Sequence, residues 1–286
     1  MKLNNNDIRT KEVLDWKGLH LLHFQTSACS QKTRIFLNLK NISWKSKSIN
    51  LVSNENYSDW FLGINPRAQV PVLIDDGHVH IESNDIIKHL EKRFPQPNLI
   101  PLKFKSDIPN LLKEEDNLHV DIRNISFRFL FGNNLRKKSN KLINKLRDDK
   151  GTILNKEDSH KNKILSFYKN LNNNNGITND SIKSSVLKFK KKYDTFENNL
   201  NNNKYLLGDD ISILDVAWFI YTHRLYLAGY PFDRLHPNVY IWYKKLKIKK
   251  EFKYEVKEPI ILKVIRKITK IKDSFGSSSL SNLANI

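Results

Sequence analysis

The chain has 286 residues, enough for one large domain or two ordinary ones, and its 39% hydrophobic content with five tryptophans argues against a disordered protein. Its single cysteine, Cys29, excludes an intramolecular disulfide and fits a reducing compartment. The formal charge of +19 travels with asparagine runs ("NNN" at 4–6, "NNNN" at 172–175, "NNLNNN" at 198–203), a Lys-, Asn- and Ile-rich surface of compositional origin, so no nucleic-acid partner is expected.

The start, "MKLNNNDIRT", lacks the apolar core of a secretory signal, and no uninterrupted apolar stretch is long enough to span a bilayer. A cytoplasmic protein is expected. Residues 1–18 read as a polar N-terminal extension. "LHLLHF" (19–24) has strand length, and "ACSQKTRIFLNLKN" (28–41), free of Gly and Pro, suits a helix. "SWKSKSINL" (43–51) alternates like a second strand, and "SDWFLGINP" gives a short helix that stops at Gly63 and Pro66.

The segment 69–95 carries the most information. "VPVLI" and "HVHI" are two short strands joined at Asp75-Asp76-Gly77, a hairpin signal. Ser83 caps a helix whose Ile86, Ile87, Leu90 and Phe94 make one apolar face, closed by Pro95. The order βαβα then ββα predicts a mixed sheet with helices on it over 19–95. A linker at 96–104 leads to helices only, over 105–272. Ile122, Ile125 and Phe129 share one helical face with Leu111 and Leu118, and Ile182, Val186, Phe189, Tyr193, Phe196 and Leu200 form a second stripe. Residues 133–180, polar and broken by "NNNNG", read as an insertion. Ser212 and Asp215 have capping-box spacing.

"PIILKVIRKITKIK" places Ile261, Ile265, Ile268 and Lys272 on one helical side and Lys263, Arg266, Lys267 and Lys270 on the other. Such a helix either packs its isoleucines on the helical domain or makes weak contact with an anionic membrane surface. Residues 273–286 are expected to be a flexible tail.

Cys29 stands at the start of the first helix, where unsatisfied N–H groups and the helix dipole favour thiolate over thiol. The Ser27 hydroxyl can donate to a thiolate, whether that of Cys29 or one carried by a ligand. A lone cysteine is also a small buried hydrophobe in many proteins. The nine histidines show no metal spacing, His78 and His80 alternating on a strand, so no metal is expected. No glycine loop for phosphate is found.

"NPRAQVPVLIDDGHVHIESNDIIKHLE" resembles the glutathione site of the glutathione transferase superfamily, and the likeness extends over roughly 19–105 and 181–252. It implies the glutathione transferase fold, an α/β thioredoxin-like N-terminal domain plus an all-α C-terminal domain, with glutathione as cofactor and a homodimer as assembly. Val70, before a cis Pro71, would pair its backbone with the cysteinyl part of glutathione, and Glu82 and Ser83 would hold the γ-glutamyl group. "SACSQKTRI" resembles the serine–cysteine motif of zeta-class transferases and most closely that of glutathione-dependent reductive dehalogenases; Ala28 departs from the zeta pattern. "SDWFLGINPRAQVP" with "ESNDIIKHLEKRFP" also resembles the β-aryl etherases, which likewise have a long stretch between the first two helices of the helical domain. The resemblance makes Ser27 the residue that stabilises glutathione thiolate and Cys29 the one that resolves a conjugate. The electrophile would be small and aromatic, set against Phe127, Phe131 and Trp218. The alternative is a non-catalytic interaction protein like the ganglioside-induced differentiation-associated branch, recruited to an anionic surface by its basic C-terminal helix.

Overall fold

The computed structural model describes residues 1–131, 137–257 and 279–286. They form two compact units, Met1–Pro97 with Lys137–Asn175, and Asn98–Arg136 with Gly176–Ile286. The basic stretch 258–278, with its isoleucine face, lies outside the described residues.

In the first unit, β1 (Leu19–His23) is followed by α1 (Ala28–Leu39), β2 (Lys45–Ser48) and the single turn α2 (Asp59–Leu62). Then come β3 (Val72–Asp75), β4 (His78–His80) and α3 (Ser83–Arg93). The sheet order is β2-β1-β3-β4, with β1 and β2 parallel and the other pairs antiparallel. This is the mixed sheet expected from 19–95. Gly77, at φ +78, closes the hairpin in a conformation that side chains rarely adopt, and its Cα faces the Leu14 carbonyl so closely that a Cβ would meet the oxygen at 2.0 Å. The last turn of α1 is tied to α3 by the buried Lys40–Glu91 ion pair at 2.6 Å.

Residues 1–18 are polar in composition, yet they are part of this unit. Leu3 donates its N–H to the Val79 carbonyl at 2.9 Å, and Leu3, Ile8 and Val13 lie in the core with Val72, Ile74 and Ile81. Their spacing follows neither a helix nor a strand period, because the segment is built on two short 3-10 turns, Asn5–Asp7, with Leu3 before it and Ile8 just after, and Lys11–Asp15, which holds Val13.

The chain next gives α4 (Ile108–Asn117) and α5 (His119–Phe129) to the second unit. It returns to the first with α6 (Asn140–Asp148) and α7 (Ser159–Asn173). The stretch that reads as an insertion into the helical half therefore packs, over Lys137–Asn175, with the sheet unit. Leu146 and Ile164 bury against Tyr57, Leu62 and Ala68. Asp7 clamps the turn between α6 and α7, accepting from the Thr152 hydroxyl at 2.7 Å and the N–H groups of Asn155 and Leu154 at 2.8 and 2.9 Å. Burial raises the Asp7 carboxyl, but these bonds outweigh it and the net shift is downward. Gly151 allows close approach to the 65–71 loop, since a Cβ there would meet Pro66 Cβ at 2.6 Å.

The second unit continues with α8 (Asn179–Leu200), α9 (Ile213–Ala228), the turn α10 (Phe232–Leu235), α11 (Pro237–Lys247) and the turn α12 (Lys250–Lys253). The stripe from Ile182 to Leu200 is buried as its spacing requires. Phe189, Tyr193 and Phe196 meet Trp218 edge-on at centroid distances of 6.4, 6.1 and 4.8 Å. Where the sequence suggested a flexible 273–286, the described end 279–286 folds as α13 (Leu280–Ala284), capped by Ser279 and packed on α8 through Leu280 and Ala284. One serine cap and two buried apolar residues do this in a segment whose composition looks like a linker.

Candidate functional site

The register of the sheet decides which loops meet. Leu22, near the end of β1, pairs with Val72 at the start of β3, and Leu73 pairs with His80 at the end of β4. The segment after β1, the one before β3 and the one after β4 therefore emerge at the same end of the sheet. These hold Ser27 and Cys29, Val70 and Pro71, and Glu82 and Ser83. A buried bond from Lys32 Nζ to Asn84 Oδ1 at 2.7 Å links the first turns of α1 and α3 directly.

Ser27 is the N-cap of α1, its Oγ accepting from the Ser30 N–H at 3.4 Å. Capping uses an oxygen lone pair, so the hydroxyl hydrogen can still serve a thiolate. Cys29 is half-buried in the first helical turn. The loop before it is braced by Arg34, whose guanidinium reaches the carbonyls of Phe24 at 3.2 Å and Gln25 at 2.9 Å and His23 Nδ1 at 3.0 Å. The motif's arginine thus shapes the loop that presents Ser27.

The Val70–Pro71 peptide is cis, as expected, and both residues are buried. The loop leading to it is set by side chains. Asn65 Oδ1 accepts from the Arg67 N–H at 3.1 Å, Asn65 Nδ2 donates to the Gln69 carbonyl at 2.8 Å, and Asn56 Nδ2 donates to the Ala68 carbonyl at 2.7 Å. Glu82 caps α3 with φ 66 and ψ 114, a backbone region that non-glycine residues rarely occupy. Ser83 follows at the helix start, buried. The N–H groups of a helix's first turn suit a carboxylate, and the Glu82 carboxylate suits an ammonium.

Sequence reasoning missed Arg67 and Asp158. Arg67 is buried, grips Asp158 with two bonds of 2.6 and 2.8 Å, and is ion-paired to Glu82. Asp158 is the N-cap of α7. An "NPR" triplet before the cis proline was the available signal for Arg67; nothing local marked Asp158. Beside them His160 is half-buried, and burial, then the Arg67 charge, push its imidazole below the usual value.

Of the suggested electrophile contacts, Trp218 is fully buried in the aromatic core of the second unit, so it serves packing there. Phe127 and Phe131 are half-buried and meet edge-on at 5.7 Å.

Asp75, His80 and His89, from three elements, bring one ligand atom each within 4.8 Å of one another, a convergence that sequence spacing did not reveal. Asp75 is already engaged by His89 at 2.8 Å and Arg93 at 2.6 Å, and the two imidazoles stack at 3.9 Å. His80 is held neutral with its pKa lowered to about 3, by burial and then by the His89 charge. His23 is lowered to about 4, by burial and then by Arg34. Unfolded, each histidine would take its proton near 6.5, so between that value and about 4 the unfolded chain binds more protons. Stability will therefore fall as pH falls through this window. Urea midpoints at successive pH values should show the decline, and a shallower one for His80→Phe; equal slopes for both chains would exclude His80 as a source.

A four-stranded mixed sheet with this end loaded, followed by a helical unit, defines a thioredoxin-like domain joined to a helical one. Residues 21–98 match the glutathione S-transferase N-terminal domain and residues 178–247 the C-terminal domain, together just over half of the chain. The chain belongs to the glutathione S-transferase family, whose co-substrate is glutathione. It is 36% identical over 83 residues to a zeta-class glutathione S-transferase of Euphorbia esula, covering 29% of this chain and 37% of that one. It is 41% identical over 81 residues to a probable maleylacetoacetate isomerase of Caenorhabditis elegans, covering 28% and 37%. The chain thus matches little more than a third of the length of these curated relatives. In fold it is similar to the beta-etherase LigF of Sphingobium sp., with a TM-score of 0.69 at 23% identity, covering 83% of this chain and 98% of that one.

Proposed function

We propose that this chain is a glutathione-dependent transferase in which glutathione thiolate attacks a small, aromatic electrophile. Val70 pairs with the cysteinyl backbone of glutathione, Glu82 takes its ammonium, and Ser83 with the α3 N-terminus takes its carboxylate. Ser27 donates to the thiolate. A carbon–sulfur bond forms while the bond to halide or aryloxide breaks, and the leaving group departs with the electron pair. In the dehalogenase-like form of the reaction, Cys29 thiolate then attacks the glutathione sulfur of the conjugate. The carbon leaves with the electron pair and takes a proton, and a second glutathione reduces the Cys29–glutathione disulfide.

The observation that carries this reading is the convergence of Ser27, Val70, Glu82 and Ser83 at one end of the sheet. The names of the N-terminal relatives favour a second reading, an isomerase. The test is retention on immobilised glutathione, followed by turnover of an aryl halide, a β-aryl ether and a cis-configured diketo acid. Retention with release of halide or aryloxide is expected. Passage through the column without retention would sink the glutathione reading, turnover of the diketo acid alone would favour the isomerase, and retention without any turnover would reject these test substrates only.

The resemblance also supports a homodimer in a cytoplasmic setting. A monomeric mass in solution would count against the former. Among the described residues no helix is long and apolar enough to cross a membrane.

A further inference from the structure

The excursion Lys137–Asn175 is fastened to the sheet unit at several points: the Asp7 clamp, the Arg9–Asp149 pair at 2.6 Å, and the contact of Gly151 with Pro66. Where its second helix starts it delivers a charge. Asp158 holds the Nε and Nη2 of Arg67 in a two-bond fork, and the third nitrogen, Nη1, is left to Glu82. A guanidinium gripped along one edge by a carboxylate cannot rotate, so its remaining nitrogen fixes the Glu82 carboxylate in one place. The side chains of Asp158 and Arg67 are 10% and 8% exposed and that of Glu82 is 33% exposed, so of the three Glu82 is the one that opens to a ligand.

Charge makes the same point. Arg67 and Glu82 alone would be a neutral pair with no pull on an ammonium. With Asp158 present, one cation stands between two carboxylates and the trio keeps a net negative charge. That charge is presented at Glu82.

We propose that the excursion is a working part of the glutathione site. Asp158 is a positioning residue that neutralises and orients Arg67, so that the Glu82 carboxylate is both fixed and free to hold the γ-glutamyl ammonium. The inference rests on the glutathione reading above and adds to it a segment that lies outside both matched family domains.

Calorimetric titration of the full chain with two tripeptides tests it. One is glutathione; the other is glutaryl-cysteinyl-glycine, which lacks only the α-amino group. The native chain should prefer glutathione, and Asp158→Asn should weaken glutathione binding by about tenfold while leaving the deamino tripeptide nearly unaffected. Asp158→Glu, which keeps the charge, should recover most of the preference, and it serves as the reporter if Asp158→Asn does not fold. A loss shared equally by both tripeptides would mean that Asp158 only supports the loop and would overturn the proposal. Unchanged glutathione affinity in folded Asp158→Asn would overturn it as well. Failure of the native chain to bind glutathione would instead remove the reading on which it rests.

Discussion

Asp215→Ala will cost the helical unit about 3–5 kcal/mol, a large part of an ordinary domain's stability. The side chain is completely buried, and its two oxygens serve four donors. Oδ1 accepts from the Leu206 N–H at 2.9 Å and the Trp242 indole at 2.8 Å. Oδ2 accepts from the Ser212 N–H at 2.8 Å and the Ser212 hydroxyl at 2.5 Å. One carboxylate thereby starts α9, secures the loop before it and anchors α11. Burial pushes its carboxyl up, and the four donors oppose that shift. Alanine leaves those donors buried and unpaired, which is worse than losing the attraction alone. Asp215→Asn keeps one acceptor oxygen but turns an NH2 toward groups that also donate, so its loss should fall between native and alanine. Urea unfolding followed by tryptophan fluorescence will read the order, and a loss below about 1 kcal/mol for alanine would show that the network is dispensable.

The spacing of Ser212 and Asp215 marked their half of this network, because a capping box is a local pattern, whereas the bonds to Leu206 and Trp242 left no such trace. The α8 stripe and the hairpin at Asp75-Asp76-Gly77 are local patterns too. The resemblance to the glutathione transferase motifs marked Ser27, Cys29, Val70 and Glu82, each at the boundary of a strand or helix. What stayed hidden was pairing across sequence distance. Asp7 and Leu154 are 147 residues apart, and Arg67 and Asp158 are 91 apart. Neither pair leaves a periodic trace, and the polar composition of 137–175 disguises a segment held both by ion pairs to distant residues and by the apolar contacts of Leu146 and Ile164. Residues 1–18 misled for a similar reason, since Leu3, Ile8 and Val13 enter the core from irregular turns. His80 beside His89 and Asp75 likewise required the sheet register, which places side chains from three elements together.

Ser27→Ala and Cys29→Ser should fail in different steps. Ser27 would donate to the nucleophile as it forms, so its loss should slow the first attack by about 100-fold, the size expected for one donor to a developing or resting anion. The thiolate absorbance of bound glutathione should titrate at higher pH in that variant, and Ser27→Thr, which keeps a hydroxyl and an N-cap, should recover much of both. Alanine also removes the cap of α1, worth about 1 kcal/mol, so a stability loss without a thiolate shift would make Ser27 merely structural. Cys29 acts later, on the conjugate. With an aryl halide, Cys29→Ser should release halide at nearly the native rate and accumulate a glutathione conjugate, because a serine hydroxyl cannot attack the glutathione sulfur to form a disulfide. Addition of excess dithiol should then clear little of the conjugate, since a thioether is not a disulfide. Identical products and rates from the Cys29 variant would place the chemistry with the etherase-like or simple transferase reaction and leave Cys29 a packing residue at the helix start.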